Sequence, residues 1–281
     1  WLVALPENET QVAAVMRICR EHDIAIVPRG AGTGLSGGAR PSADGVVLGL
    51  SKMNQIIAID PDNCFDRVQP GVRNLAISEA AAAHGLYYAP DPSSQSACSI
   101  GGNVAENSGG VHCLKYGLTV HNVLGVRVMT SAGEILDLGG TLLDTPGLDL
   151  LALLCGSEGM LGIITEVTVQ LLPKPPAVAV MLAAFHAITA AGEAVAGVIG
   201  QGIIPAGMEM MDKLAVQAAE QFAKAGYPED ADAILLIELD GTQAEVDELA
   251  ARVDRVVREN GAYQVDIATD ADAQMRLWKG R

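Results

Sequence analysis

Basic residues are scarce in this 281-residue chain, which carries 18 Lys and Arg against 34 Asp and Glu. Its formal net charge at pH 7 is −16. A surface that binds nucleic acid needs clustered positive charge to neutralise phosphates. The acidic balance therefore argues against nucleic acid as a partner, and it chiefly favours solubility.

Long hydrophobic runs are also missing. No stretch of about 18 apolar residues occurs, so we expect no transmembrane segment. Apolar residues make up 49% of the chain and charged residues 19%, which is the balance of an ordinary globular protein. The first residue is Trp1 and not Met, so we expect the native start to lie elsewhere.

Cysteine and histidine each occur only five times. The cysteines form no C-x-x-C pair, and their odd number favours reduced thiols in a cytoplasmic protein over a disulfide framework or an iron–sulfur cluster. The histidines form no H-x-H or H-E-H pattern, so we assign no metal site to this chain. The cysteines are Cys19, Cys64, Cys98, Cys113 and Cys155.

The pattern along the chain predicts two domains of α+β class, residues 1–173 and 174–281. Three prolines within Pro173–Pro176 disfavour helix and strand and mark the boundary. Before it, we expect a helix capped by Thr10, a strand–glycine-loop–strand unit and a long irregular stretch at residues 90–117. After it, strands alternate with long helices, which predicts a sheet with helices on one face.

The first glycine loop reads PRGAGTGLSGG, from Pro28 to Gly38, and contains a G-x-G-x-x-G match. A Rossmann site needs a helix to begin at such a loop. Here Asp44 and Gly45 turn the chain into a strand, so we reject that interpretation. Successive backbone N–H groups exposed by glycines can instead hold a diphosphate, with Thr33 and Ser36 as additional hydroxyl donors.

Two further loops are rich in small and polar residues. The second reads DPSSQSACSIGGNVAENSGG, from Asp91 to Gly110, and the third reads GSEGMLGII, from Gly156 to Ile164. The hydroxyl and amide side chains suit ribityl hydroxyls or phosphate, and the paired glycines allow close approach of a flat ring. Together the three loops predict one elongated ligand with a diphosphate. The polar candidates in the second loop are Ser93, Ser94, Ser99, Asn103 and Asn107.

With these three strings, and with LLPKPP, GMEMMD and AILLIELDG after them, the chain resembles the FAD-linked oxidase family with the vanillyl-alcohol-oxidase-type flavin domain. Within that family it is most similar to the FAD-binding subunits of glycolate oxidase and to the D-lactate dehydrogenases. The resemblance implies a two-part FAD-binding domain in residues 1–173. A truncated α+β cap domain, which covers the substrate, follows in residues 174–281.

The resemblance also implies which residues bind FAD. Covalent relatives carry His in an R-x-x-G-H run, whereas this chain has Thr33 at that place, so the FAD is expected to be non-covalent. Glu158 and its neighbours are expected at the adenosine end or the ring edge. The implied cofactor-binding residues are Pro28, Arg29, Gly30, Ala31, Gly32, Thr33, Gly34, Leu35, Ser36, Pro92, Ser93, Ser94, Gly101, Gly102, Asn103, Ala105, Asn107, Glu158, Gly159, Gly162 and Ile164.

The family chemistry is oxidation of a small 2-hydroxy acid, such as glycolate or D-lactate, by hydride transfer to flavin N5. Electrons are expected to pass to an FAD-containing or iron–sulfur partner subunit or a quinone-linked acceptor, with the protein cytoplasmic or peripheral to the inner membrane through partners. Trp278 to Arg281 resembles the family's W-x-x-R, which assigns Arg281 to the substrate carboxylate. The catalytic base is expected beyond Arg281, so this stretch alone is not expected to turn over substrate.

Two alternatives stay open. One is a flavin reductase of the same fold that acts on another substrate, such as a nucleotide-sugar. The other is an FAD-binding module without turnover of its own. At the level of residues, His112, Lys115 and Tyr116 either face the flavin or have a structural role.

Overall fold

The computed structural model describes residues 2–142 and 146–280 of the chain. Up to the proline-rich boundary the elements are β1 (Leu2–Ala4), α1 (Glu9–Glu21), β2 (Ile26–Arg29), β3 (Val46–Gly49), β4 (Ile56–Asp60), β5 (Phe65–Val68), α2 (Asn74–Ala81) with a 3₁₀ turn (Ala82–His84), β6 (Leu86–Tyr87), α3 (Ile100–Glu106), α4 (Cys113–Tyr116), α5 (Thr119–Asn122), β7 (Val123–Met129), β8 (Ile135–Gly139), α6 (Leu150–Leu154), β9 (Ile163–Gln170) and β10 (Leu172–Pro173).

Beyond the boundary, long strands and helices alternate. They are β11 (Ala177–Phe185), α7 (Ile188–Gly200), β12 (Gly207–Asp212), α8 (Lys213–Ala223), β13 (Ala233–Gly241), α9 (Gln243–Glu259), β14 (Ala262–Ala268) and α10 (Ala271–Lys279). The chain divides into two compact units, with the main division between Lys174 and Pro175. The short segment Val111–Tyr116 belongs to the second unit, although residues on both sides of it belong to the first.

The first unit contains a three-stranded parallel sheet and a five-stranded antiparallel sheet. The parallel sheet has the order β1-β3-β2, and the antiparallel sheet has the order β4-β5-β9-β7-β8. Helix α1 packs Val12 and Met16 into a core with β3 and with residues of β7 and β9. A second core lies between the antiparallel sheet and helices α2 and α3.

Helix α1 begins two residues earlier than a cap at Thr10 would place it. Asn8, and not Thr10, is the N-cap, and its side chain accepts a hydrogen bond from the backbone N–H of Gln11 at 3.0 Å. Both residues suit the position. Because Asn8 already satisfies an amide of the first turn, Thr10 lies inside the helix.

The stretch at residues 90–117 is more regular than predicted. Helix α3 spans seven of its residues, and α4 lies near its end. Two glycines in the first turn of α3 lower its helix propensity, which explains why the sequence did not reveal it. Tertiary packing compensates, because Ile100 and Val104 are fully buried in the core.

The second unit is built on a four-stranded antiparallel sheet with the order β12-β13-β11-β14. Helices α7 and α9 pack on one face, and α8 and α10 pack on the other. The prediction of helices on one face only was therefore wrong. The reason is visible in β11, where every residue from Ala179 to Phe185 is buried, so both faces of the strand need cover.

Candidate functional site

A cleft of about 500 Å³ in the first unit is lined by all three predicted loops. Each residue predicted to bind the cofactor, from Pro28 in the first loop to Ile164 in the third, lies on its wall. The loops are far apart in sequence, and the fold brings them together. Residues that sequence reasoning did not propose also line it, namely Gly38, Ala39, Leu50, Pro70, Cys98, Glu106, Ser108, Gly109 and Ile163.

The first glycine loop follows β2 directly and leads into β3 with no helix between them, as predicted. Among the described residues, no backbone N–H from Ala31 to Ser36 donates to another backbone group. Gly32 has a left-handed φ of 72°, and the Arg29 guanidinium occupies the place of a Cβ there, with Nη2 at 2.5 Å. The loop thus offers free N–H donors with a cation beside them, which is an arrangement suited to a diphosphate.

Glu106, at the end of α3, contacts this loop. Its Oε2 accepts a hydrogen bond from the Ser36 hydroxyl at 3.0 Å, and its Oε1 lies 2.7 Å from where a Cβ of Gly34 would be. The Ser36 hydroxyl, predicted as a donor to the ligand, is therefore committed to the protein in this structure. Nothing in the sequence pointed to Glu106, because a carboxylate is not expected beside a diphosphate loop.

Two polar side chains in the second loop are buried beside the cleft without a partner. Within the part of the chain that the structure describes, Ser99 Oγ and Asn103 Nδ2 make no hydrogen bond. Both residues line the cleft. Ser99 is the N-cap of α3 but makes no side-chain cap bond. Buried polar atoms normally have partners, so these two are suited to a bound ligand.

Other loop residues are partly committed to the protein itself. Asn107 Oδ1 accepts a hydrogen bond from Val120 N at 2.9 Å, which leaves only its amide nitrogen for a ligand. A Cβ on Gly162 would lie 2.7 Å from Val128 Cγ2, so this glycine is needed for packing. Glu158 adopts a left-handed φ of 52°, and this turn directs the third loop along the wall of the cleft.

The cleft's residues fit FAD, which combines a diphosphate with hydroxyl groups and a flat ring. The free N–H groups of the first loop suit the diphosphate, and the two orphaned polar atoms suit hydroxyl or ring atoms. Arg29 is the only basic residue among those described on the cleft wall. The cleft therefore offers a diphosphate mainly backbone donors, and the carboxylates of Glu106 and Glu158 also line it.

Four residues predicted near the site lie in the second unit or outside the described residues. His112 Nε2 lies 2.8 Å from Glu238 Oε1, whose second oxygen accepts from Trp278 Nε1 at 2.7 Å. Lys115 and Tyr116 both contact the carboxylate of Asp240, which also lies on β13. Arg281, predicted to bind the substrate carboxylate, lies outside the described residues.

No group of three or more His, Cys, Asp or Glu side chains within residues 2–142 and 146–280 is arranged to hold a metal ion. None of the helices in that part of the chain is long and apolar enough to cross a membrane. All five cysteines are free thiols in this structure.

Comparison with known families identifies the class. Residues 2–139 match the FAD binding domain family, and residues 174–281 match the family of C-terminal domains of FAD linked oxidases. The chain therefore belongs to the FAD-linked oxidases, and its cofactor is FAD, as the family resemblance implied.

Within this family, the chain is similar to proteins named for the oxidation of small hydroxy acids. The chain is 58% identical to the glycolate oxidase subunit GlcD of Escherichia coli, over 100% of this chain and 56% of that protein. It is 36% identical to a D-lactate dehydrogenase of Anaerostipes hadrus, over 96% of this chain and 58% of that protein. It thus spans little more than half the length of these relatives. The fold is also that of an alkyldihydroxyacetonephosphate synthase structure, with a TM-score of 0.83 at 21% identity. The match covers 99% of this chain and 54% of that one.

Proposed function

We propose that this chain is the FAD-binding part, with the first part of the substrate domain, of an oxidoreductase that converts a small 2-hydroxy acid to the 2-oxo acid. The observation that carries the proposal is the cleft that unites the three loops, together with 58% identity to a glycolate oxidase subunit. Bound FAD supplies the acceptor for the hydride that leaves the carbinol carbon. The chain's own residues bind and orient the cofactor.

Substrate binding is assigned to Arg281, on the basis of sequence. A guanidinium matches both oxygens of a carboxylate, and this would fix the carbinol carbon of a 2-hydroxy acid. Because the similar GlcD protein is by name a subunit, we include electron transfer to a partner subunit in the proposal. The free thiols support a cytoplasmic location, with any membrane attachment made through partners.

Steady-state turnover by the full-length protein tests the proposal. We expect glycolate or D-lactate to reduce a dye acceptor and to bleach the flavin absorbance. The Arg281→Ala variant should lose about tenfold or more in kcat/KM, because the substrate carboxylate loses its cationic partner, while its FAD content stays normal. Arg281→Lys should recover part of the loss. Bleaching by NADH or NADPH instead would favour a flavin reductase, and bleaching by neither would favour a non-catalytic module.

A further inference from the structure

Two carboxylates on strand β13 contact the segment Val111–Tyr116, which belongs to the same unit. Glu238 and Asp240 are two residues apart, so their side chains lie on the same face of the sheet. His112 contacts Glu238, and both Lys115 and Tyr116 contact Asp240. Val111 packs so closely on β12 that a Cβ at Gly207 would collide with it. The segment is thus attached at several points along its length.

Glu238 differs from Asp240 because it has a second partner on another element. Its Oε2 accepts a hydrogen bond from the indole N–H of Trp278 at 2.7 Å, while its Oε1 contacts His112 at 2.8 Å. The Glu238 side chain is only 13% exposed. Both oxygens of a mostly buried carboxylate are therefore used, each by a different part of the chain.

The C-terminal end of α10 depends on two such contacts. The Tyr227 hydroxyl donates to the carbonyl of Leu277, and the Tyr227 ring leaves no room for a Cβ at Gly280. The Trp278 indole is held by Glu238. The last helical residue is Lys279, so these contacts hold the end of this helix in place.

We propose that Glu238 is a positioning residue for substrate binding. By holding the Trp278 indole and the His112 ring at once, it fixes the end of α10 relative to Val111–Tyr116, the segment that follows the cofactor loop in sequence. The inference rests on the proposed function, because it acts through Arg281, two residues beyond the helix end. Glu238 is assigned no contact with cofactor or substrate, so its effect should appear in substrate affinity and not in FAD binding.

The test compares variants of the full-length protein by KM, kcat and FAD content. We expect Glu238→Ala to raise KM for the 2-hydroxy acid about tenfold or more, because the His112 ring and the Trp278 indole, both partly buried, lose this carboxylate as a partner. FAD content and kcat should change less than about threefold. Glu238→Gln should restore most of the affinity, since its amide oxygen can still accept from the indole. Trp278→Phe, which keeps the ring but removes the N–H, should raise KM in the same direction.

A double variant and a matched control complete the design. Glu238→Ala combined with Trp278→Phe should be no worse than Glu238→Ala alone, because both changes remove the same hydrogen bond between the indole and the carboxylate. Asp240→Asn changes the neighbouring carboxylate, which holds the same segment but not α10, and should leave KM within about threefold. If Glu238→Ala does not fold, Trp278→Phe decides the matter.

Unchanged KM in Glu238→Ala or Trp278→Phe, with an active wild-type enzyme, would overturn the inference. A raised KM accompanied by equal losses of kcat and FAD content would also overturn it, because that result would indicate general damage to the fold. A wild-type protein that oxidises no 2-hydroxy acid would instead refute the proposed function. The two failures are therefore distinguishable.

Discussion

At the scale of single residues, the glycine at position 32 makes the sharpest demand on the backbone. Its φ of 72° is left-handed, and the Arg29 guanidinium fills the space beside its Cα. Gly32→Val should weaken FAD binding by about tenfold or more, because a branched side chain is strained there and displaces Arg29. Titration of the apoprotein with FAD, followed by flavin fluorescence, measures the effect.

Gly38→Ala is the matched control for this experiment. It lies in the same loop, but its Cβ would meet nothing nearer than Glu158 Oε2 at 3.8 Å. We expect its FAD affinity to match that of the wild-type protein. Equal affinities for Gly32→Val and Gly38→Ala would mean that the diphosphate binds elsewhere.

A second residue, Asp66, should make the stability of the protein depend on pH. It lies on β5 with 0% exposure, opposite Ile59 and Val169. Burial outweighs the nearby backbone N–H of Arg67 and raises the pKa of the carboxyl to about 7. The folded state then binds this proton more tightly than the unfolded state does, so the stabilisation is complete below pH ~4 and is lost as pH rises toward 7.

The Asp66→Asn variant removes this titration. Relative to wild type, it should gain stability between pH 5 and pH 8, by at most about 3 kcal/mol and by less where water screens the charge. Urea denaturation at the two pH values measures the difference. Asp44→Asn, at an exposed carboxyl, serves as the control and should show no such gain. Parallel pH profiles for wild type and Asp66→Asn would contradict the assignment.

At the scale of elements, two helix starts with similar cap residues should respond differently to substitution. Asn8 makes a cap bond at the start of α1, whereas Ser99 at the start of α3 makes none and faces the cleft. Asn8→Ala should therefore cost about 1 kcal/mol in unfolding free energy without affecting FAD affinity. Ser99→Ala should weaken FAD binding about threefold to tenfold, as expected for one lost hydrogen bond.

Thermal denaturation of the apoprotein and FAD titration of both variants would test this contrast. The two measurements should separate, with stability lost in one variant and affinity lost in the other. A Ser99→Ala variant with wild-type affinity and reduced stability would show that the hydroxyl serves the helix and not the ligand.

The elements also show what sequence alone can predict. The long helices after the boundary were predictable, and α9, at Gln243–Glu259, shows why. Its amphipathic pattern and the Thr242–Glu245 capping box are local signals. Helix α3 was missed because its stability comes from tertiary burial of Ile100 and Val104. The sequence pattern of β11 does not show that both faces of the strand are buried, because the helices that cover the second face are distant in sequence.

The site followed the same rule. Loop membership was predictable, since glycine and hydroxyl residues mark close approach to a ligand, and every predicted cofactor residue lines the cleft. Side-chain pairings between residues distant in sequence were not predictable. No local pattern indicates that Ser36 contacts Glu106 or that His112 contacts Glu238. Which individual residues contact FAD stays a prediction.

At the scale of the whole molecule, the mode of cofactor attachment is the property that one simple experiment can decide. The first loop carries Thr33 where covalent relatives carry His, and we therefore expect non-covalent FAD. Acid precipitation of the purified protein should release all the yellow colour into the supernatant. Flavin that stays with the pellet after washing in denaturant would contradict this expectation.

The segment Val111–Tyr116 belongs to the second unit although its flanking residues belong to the first, and this affects which parts of the chain can be exchanged between relatives. A recombination event that exchanged everything after Lys174 between two relatives would leave these six residues behind. The incoming strand β13 would then bring an acid equivalent to Asp240, buried with 5% exposure, to whatever residues the recipient holds at positions 115 and 116. Chimaeras should therefore tolerate exchange best when the short segment travels with the domain. The two stretches of sequence are expected to evolve as a linked pair despite the sixty or so residues between them.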